Sequence, residues 1–356
     1  MAKSPDKDVL TAFSSGDEHY SVEQLGNGLI NHTYKITDEK NSKVLLLQQI
    51  NKNVFKKPDD VQDNFIKLWN YKNGTEKILF PTPVQLRIRK NGTLFIDRNG
   101  NYWRAFEFLK GTVTLNVPQN SGQAMATAKT FGQLTAFLSS FDAESLHVVI
   151  PDFHNLSFRY SQFEEALAAA KPARLQKAAL LIQEIQSRKK YKDFYDRIIK
   201  SSAFPKRVMH HDAKIANVLF DKKTGNVICA IDFDTTMPGY FFSDLGDMIR
   251  SMACSSDEHS TDYENLHIRK DFYKAIVSGY LEVMNNYLTE GEKQYIHSAG
   301  LLMIYMQALR FIADYLNDDI YYQINYPEQN FDRALNQLTL LKNLEQFLSR
   351  EYNFSL

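Results

Sequence analysis

The chain has 356 residues, with 42 Lys plus Arg against 42 Asp plus Glu, and is 44% hydrophobic and 24% charged. That composition excludes a disordered chain, and the zero net charge removes the bulk electrostatic pull toward nucleic acid or an anionic membrane. Cys229 and Cys254 are too few for a disulfide framework and form no C-x-x-C site. The charged start, with no apolar signal core, completes the expectation of a cytoplasmic protein.

At roughly 100–200 residues per domain, the length predicts two units. The first is read as β-rich. Strands are expected at residues 20–25 and 33–36, flanking the turn-prone Gly26-Asn27-Gly28, and at 43–49, a continuous apolar run. Val84, Leu86 and Ile88 alternate with polar residues. Asn91-Gly92 and Asn99-Gly100 then turn the chain into strands at 93–97 and 102–108. One helix interrupts them, with Val61, Phe65, Leu68 and Trp69 on one face behind Pro58-Asp59-Asp60.

Beyond Gly111 the pattern turns helical. Ala124, Ala128, Phe131, Leu134, Leu138 and Phe141 mark one helix; Phe272, Ile276, Tyr280 and Val283 mark another. Thr289 and Glu292 form a capping-box pattern before a long apolar helix with Leu301, Tyr305, Ala308, Ile312 and Tyr315. That helix carries Gln307, Arg310 and Asp314, so it is read as buried in protein rather than as a membrane span. A last helix carries Leu335, Leu338, Leu341 and Leu348. Between the helices, strands at 218–220 and 227–231 flank Lys222-Lys223-Thr224-Gly225-Asn226. The expected fold class is α+β: a two-lobed, protein-kinase-like arrangement with a small antiparallel β N-lobe at residues 1–110 and a larger, mainly helical C-lobe at 111–356.

The chemistry concentrates in His210-His211-Asp212-Ala213-Lys214-Ile215-Ala216-Asn217, which fits H-x-D-x-x-x-x-N, the catalytic-loop pattern of kinase-fold phosphotransferases. Phosphoryl transfer needs a carboxylate to orient the acceptor hydroxyl, and oxygen donors for Mg²⁺. Asp212 fits the first role and Asn217 the second. The apolar run Ile228-Cys229-Ala230-Ile231 then delivers Asp232 to a strand end, as a second metal ligand. Gly26-Asn27-Gly28-Leu29-Ile30-Asn31 reads either as a phosphate-covering loop or as an ordinary hairpin turn. Glu107-Phe108-Leu109-Lys110-Gly111 stands where a kinase hinge offers its backbone to adenine. Asp244 is read first as a helix cap. His210 is read as a brace for the catalytic loop rather than a zinc ligand.

These residues resemble the aminoglycoside phosphotransferase/choline kinase-like family over nearly the whole chain. Within that family they are most similar to bacterial N-acetylhexosamine 1-kinases. The closer likeness rests on Leu47-Gln48-Gln49-Ile50-Asn51, Tyr102-Trp103-Arg104, Asp232-Phe233-Asp234-Thr235-Thr236-Met237-Pro238-Gly239, Arg310-Phe311-Ile312-Ala313-Asp314-Tyr315-Leu316, Asp319-Ile320-Tyr321 and Tyr326-Pro327-Glu328. The resemblance implies ATP- and Mg²⁺-dependent phosphorylation of the anomeric hydroxyl of a free N-acetylhexosamine. Asp212 would take the catalytic position, with Asn217 and Asp232 on the metal. Gly26, Gly28, Gln48, Glu107 and Leu109 would fall at the nucleotide; Asn31, Thr235, Arg310 and Tyr321 would fall at the sugar. Arg310 could instead pair with Asp314 at i+4. Late in the third strand, where many kinases place a lysine, the chain reads Leu45-Leu46-Leu47-Gln48-Gln49, with Lys43 only at the strand's start.

Two other readings stay open at this point. One is a kinase of another small alcohol, such as choline, homoserine, methylthioribose or an aminoglycoside. Another is a nucleotide-binding scaffold without turnover. The expected partner is a small-molecule sugar, with neither nucleic acid nor membrane, and the sequence leaves the oligomeric state open.

Overall fold

The computed structural model describes residues 4–13, 20–25, 30–38, 43–72, 78–86 and 92–356. Gly26 and Gly28, with the rest of their turn to Leu29, lie outside these residues, as do Ile88 and Asn91. The first elements are α1 (Lys7–Phe13), β1 (Tyr20–Gln24), β2 (His32–Asp38), β3 (Lys43–Ile50), α2 (Pro58–Lys72), β4 (Phe95–Ile96), β5 (Tyr102–Glu107) and β6 (Thr112–Val113). The sheet runs in the order β1-β2-β3-β5-β4, antiparallel at every pairing. Its buried face carries Tyr34, Ile36, Leu45, Leu47, Trp103 and Ala105, one residue in two along each strand. The short α1 covers that face with Val9, Ala12 and Phe13, at i, i+3 and i+4. The sequence reading missed this helix, because seven residues give too short a periodic signal. The alternating Val84 and Leu86 form no strand among the described residues. Pro81 and Pro83 lack N–H donors, so only a bridge from Pro83 to Phe106 and single hydrogen bonds tie this segment to β5.

The chain continues through α3 (Ser121–Phe137), α4 (Leu156–Ala169), α5 (Pro172–Ser187), α6 (Lys190–Ile198), β7 (Arg207–Met209), β8 (Val218–Asp221), β9 (Val227–Ala230), β10 (Met237–Gly239), α7 (Phe242–Met252), α8 (Lys270–Met284), α9 (Glu290–Gln294), α10 (Ser298–Leu316) and α11 (Gln329–Tyr352). Two compact units result. One comprises Met1–Val113, Glu144–Pro151 and Leu219–Met237; the other comprises Thr114–Ala143, Asp152–Val218 and Pro238–Leu356. The sequence reading counted 144–151 and 219–237 with the helical residues 111–356. The β8–β9 hairpin joins the first unit because β6 pairs with β8, Thr112 opposite Asp221 and Val113 opposite Phe220.

The second unit is built around α10, which packs against α4, α5, α6, α7 and α11. It is long and apolar enough to cross a membrane, yet 89% of its apolar window is buried inside the protein. The capping box of Thr289 and Glu292 is present, but it starts the short α9 rather than α10. The α8 stripe centres on Tyr273, Val277, Tyr280 and Met284, one residue on from the expected Phe272 and Val283. Gly246 of α7 lets this helix approach α10. A Cβ there would stand 2.4 Å from the Ala299 carbonyl oxygen.

Candidate active site

In the second unit, β7 leads straight into the H-x-D loop. Burial alternates along it: His211, Ala213, Ile215 and Asn217 turn inward, while Asp212 and Lys214 stay half-exposed. His211 holds a φ of 65°, a costly conformation for a side chain of this size. The loop is over-determined enough to keep it. The backbone N–H groups of His210 and His211 donate to Asp244 Oδ2 and Oδ1 at 2.9 and 2.7 Å. The N–H of Asp212 donates to His210 Nδ1 at 3.3 Å, and the His210 ring meets Phe131 edge-on. Gly239 leaves room for His211, whose ring lies 2.5 Å from where a Cβ would sit.

Asp212 itself is tethered on one side only. Asn217 Nδ2 donates at 2.8 Å to both Asp212 Oδ2 and its carbonyl, and Lys214 Nζ lies 2.9 Å from the same Oδ2. Asp212 Oδ1 takes no hydrogen bond among the described residues. The carboxylate is therefore fixed while one oxygen stays open for a hydroxyl donor. With Nδ2 used in this way, Asn217 presents its Oδ1, a hard oxygen suited to magnesium. Behind the loop, Asp244 is fully buried and carries no ion pair among the described residues. Burial raises its carboxyl, against the pull of the two N–H donors, to about 7. Asp244 thus anchors the loop that bears Asp212; capping is not what its carboxylate does.

A cluster extends from this loop within the same unit. His211 Nδ1 lies 3.2 Å from His154 Nδ1, and His154 stacks on Phe153 with ring centroids 4.6 Å apart. Burial, then the neighbouring His211, keeps His154 neutral, well below the usual histidine range. Arg310 of α10 stands 5.8 Å from the Phe153 ring centre and 5.6 Å from that of Tyr322. Its one hydrogen bond among the described residues goes to Gln307 Oε1. The i+4 pair with Asp314 does not form, because Asp314 accepts instead from the N–H groups of Tyr321 and Tyr322 and from Asn330 Nδ2. These bonds fix the turn that presents Tyr321, whose side chain is 72% exposed.

In the first unit, β9 ends at Ala230, and two residues on comes Asp232, which is exposed and left-handed at φ 64°. The following 3-10 turn, Phe233–Thr235, is held by side chains. Phe233 stacks on Phe80 at 4.9 Å and meets Phe65 edge-on. Asp234 forms a buried ion pair with Arg104 and accepts from Asn31 Nδ2 at 2.6 Å. Arg104 sits opposite Gln48 in the β3–β5 register and donates to Gln48 Oε1 through Nε and Nη2. So the third strand, whose one lysine is Lys43 at its start, faces a buried arginine committed to Asp234.

The other expected site residues fall as follows. Asn31 uses both ends of its amide inside the first unit, since its Oδ1 accepts from the Asn51 N–H at 3.0 Å. Thr235 is buried in the turn after Asp232. Glu107 closes β5, and the carbonyl of Leu109 accepts from Thr112 Oγ1 at 2.7 Å. The sequence reading gave no role to Arg104, Asp234 or His154, although Asp232-Phe233-Asp234 displayed the second acid. Asp244 was noticed and given the wrong partner.

The solved structures similar to this chain share its fold at low identity. The microcompartment-associated aminopropanol kinase matches with a TM-score of 0.61 at 15% identity, over 97% of each chain. Choline kinase from Cryptosporidium parvum Iowa II matches with 0.58 at 17%, again over 97% of each. The GDP complex of aminoglycoside 2'-phosphotransferase-IIIa matches with 0.54 at 14%, over 89% of this chain and 92% of that one. The phosphotransferase enzyme family model matches residues 21–275. With its antiparallel β unit, its helical unit and the loop that bears Asp212, this chain belongs to the phosphotransferase enzyme family and has its kinase-like fold.

Proposed function

We propose that this phosphotransferase is an ATP- and Mg²⁺-dependent cytoplasmic sugar kinase that phosphorylates the anomeric hydroxyl of an N-acetylhexosamine. The observation that carries the acceptor class is Arg310, a half-buried guanidinium between two aromatic rings with no carboxylate partner among the described residues. Its forked donors suit sugar hydroxyls or an acetamido carbonyl. Choline, a quaternary ammonium, and aminopropanol, an amine protonated at neutral pH, are named for two of the similar structures, and a guanidinium repels both cations.

In this reading Glu107 and Leu109 of the β-rich unit serve the nucleotide, and Asp212 and Arg310 of the helical unit serve the acceptor. Asp212 Oδ1 accepts a hydrogen bond from the acceptor hydroxyl and takes its proton as the new O–P bond forms. Asn217 and Lys214 hold the other carboxylate oxygen, so the base cannot rotate away. ATP, bound with magnesium, supplies the phosphoryl group. Asn217 Oδ1 and the Asp232 carboxylate are the oxygens that would hold the metal, an all-oxygen set that a hard ion accepts. Glu107 and Leu109 offer backbone groups to the base, and Thr235 and Tyr321 lie on the acceptor side of the assignment.

An ADP-release assay with Mg·ATP tests the reading. N-acetylglucosamine or N-acetylgalactosamine should turn over, and the corresponding methyl glycosides, whose anomeric oxygen is blocked, should not. Turnover confined to choline, ethanolamine or kanamycin would overturn the sugar assignment. Asp212→Asn should lower kcat by about 10³-fold, within the range that general-base removal produces, while the ATP Kd stays within about threefold. Near-normal turnover in this variant would remove Asp212 from the role of base.

A further inference from the structure

Arg310 has a companion. Arg159, in the first turn of α4, is half-buried and likewise has no carboxylate partner among the described residues. Its Nη2 donates to the Phe153 carbonyl at 3.3 Å and its Nη1 donates to Gln162 Oε1 at 2.8 Å. Its Nε is buried without a hydrogen bond. Phe153 therefore joins the two cations, with Arg159 bonded to its backbone and Arg310 beside its ring. Phe153 in turn stacks on His154, which contacts His211, the residue before Asp212.

Two like charges at partial burial, with no ion pair among the described residues and only a weaker attraction of Arg159 to Asp152, are unfavourable in the protein alone. The strain is visible in Arg159, whose guanidinium is held down to about 10 by burial first and by Arg310 next. Arg250 and Arg333 of the same unit show the contrast, since both are paired with Glu258. His154 cannot supply negative charge, and because it stays neutral it adds no third cation. Tyr322 packs beside Arg310 and Tyr321 beside Tyr322, and phenols do not neutralise a guanidinium at neutral pH.

We propose that Arg159 and Arg310 together form an acceptor subsite for an oxygen-bearing acyl or carboxyl substituent, and that Arg159 is a specificity-determining residue that favours such acceptors over amines. The inference deepens the acceptor assignment above and shares with it the reading of Arg310 as a substrate-facing group. It names the second cation and the charge class of the substituent: a carbonyl or carboxylate oxygen, with ammonium excluded.

The test is a specificity series on the full chain with N-acetylglucosamine, glucose, glucosamine, glucuronate, N-acetylethanolamine and ethanolamine. Substrate depletion would be followed as ADP release, and binding by calorimetry in the presence of a non-hydrolysable ATP analogue. The wild type should prefer each acyl or carboxyl acceptor to the matching amine by at least about tenfold in kcat/KM. Arg159→Gln should lower kcat/KM for N-acetylglucosamine about tenfold or more and leave glucose within about threefold; Arg159→Lys should recover part of the loss. An equal fall for both sugars would mark Arg159 as structural and overturn the proposal, as would wild-type preference for the amines or calorimetric binding to neither class. Turnover of N-acetylethanolamine without turnover of any sugar would reject the sugar kinase reading and leave the two-arginine subsite standing.

Discussion

The two functional loops are built alike and anchored differently. Each follows a short strand, bends through a left-handed residue, His211 at φ 65° or Asp232 at φ 64°, and runs on into a 3-10 turn. In the second unit the anchor is a lone buried carboxylate, Asp244, holding two backbone N–H groups. In the first it is a compensated cluster, where Arg104 neutralises Asp234 and Asn31 completes the hydrogen bonding. Losing one partner of a compensated buried pair is costly. A lone buried carboxylate is nearer its protonation point, so its grip is adjustable by pH. The difference teaches that two loops of similar shape need not answer the same perturbation.

Breaking the compensated anchor should give the larger effect. Arg104→Met leaves Asp234 buried without its cation, and removal of one partner from a buried ion pair costs about 3–5 kcal/mol. Trp69 and Trp103, the chain's two tryptophans, both lie in the first unit, so tryptophan fluorescence during urea unfolding reports on that unit. The midpoint should drop sharply in Arg104→Met. The double variant Arg104→Met/Asp234→Leu should recover much of the loss, because it removes the stranded charge. An unshifted midpoint in the single variant would mean that the pair contributes nothing to anchoring the turn after Asp232.

The antiparallel sheet, the helical second half and the Asp212 loop could all be read from the sequence, because each depends on local signals. Strand alternation, turn residues and the spacing from Asp212 to Asn217 are written within a few residues of one another. The anchors could not be read that way. Asp234 meets Arg104 and Asn31 across long stretches of chain, and Asp244 reaches back to His210 and His211. Only the fold brings such partners together. Asp244 shows the trap plainly: an acid in the first turn of a helix has a good local explanation, and the competing tertiary partner left no local trace. Arg310 shows the reverse, since its i+4 acid looked like a partner until the turn at Tyr321 and Tyr322 claimed that carboxylate. Arg159 carried no sequence signal, because an unpaired arginine is recognised only by what fails to surround it.

The smaller effect sharpens the comparison through pH. Asp244 has a folded-state carboxyl at about 7, above the ordinary carboxylate value of about 4. The folded protein therefore binds this proton more tightly than the unfolded chain does. Its contribution to stability is full below pH about 4, falls as pH rises toward about 7 and is level above that. The ionised form, in which both oxygens accept, is the one that grips both N–H groups. Stability and loop anchoring thus pull in opposite directions across this interval. Wild-type kcat should fall as pH drops through about 7. Asp244→Asn, which cannot ionise and keeps one accepting oxygen, should have a lower kcat at pH 8 and should lack that limb. Its stability relative to wild type should improve between pH 4 and 7. An Arg104→Met variant should retain the limb, since the first-unit anchor does not include Asp244. The same limb in Asp244→Asn would assign it to another group and remove the pH sensitivity from this anchor.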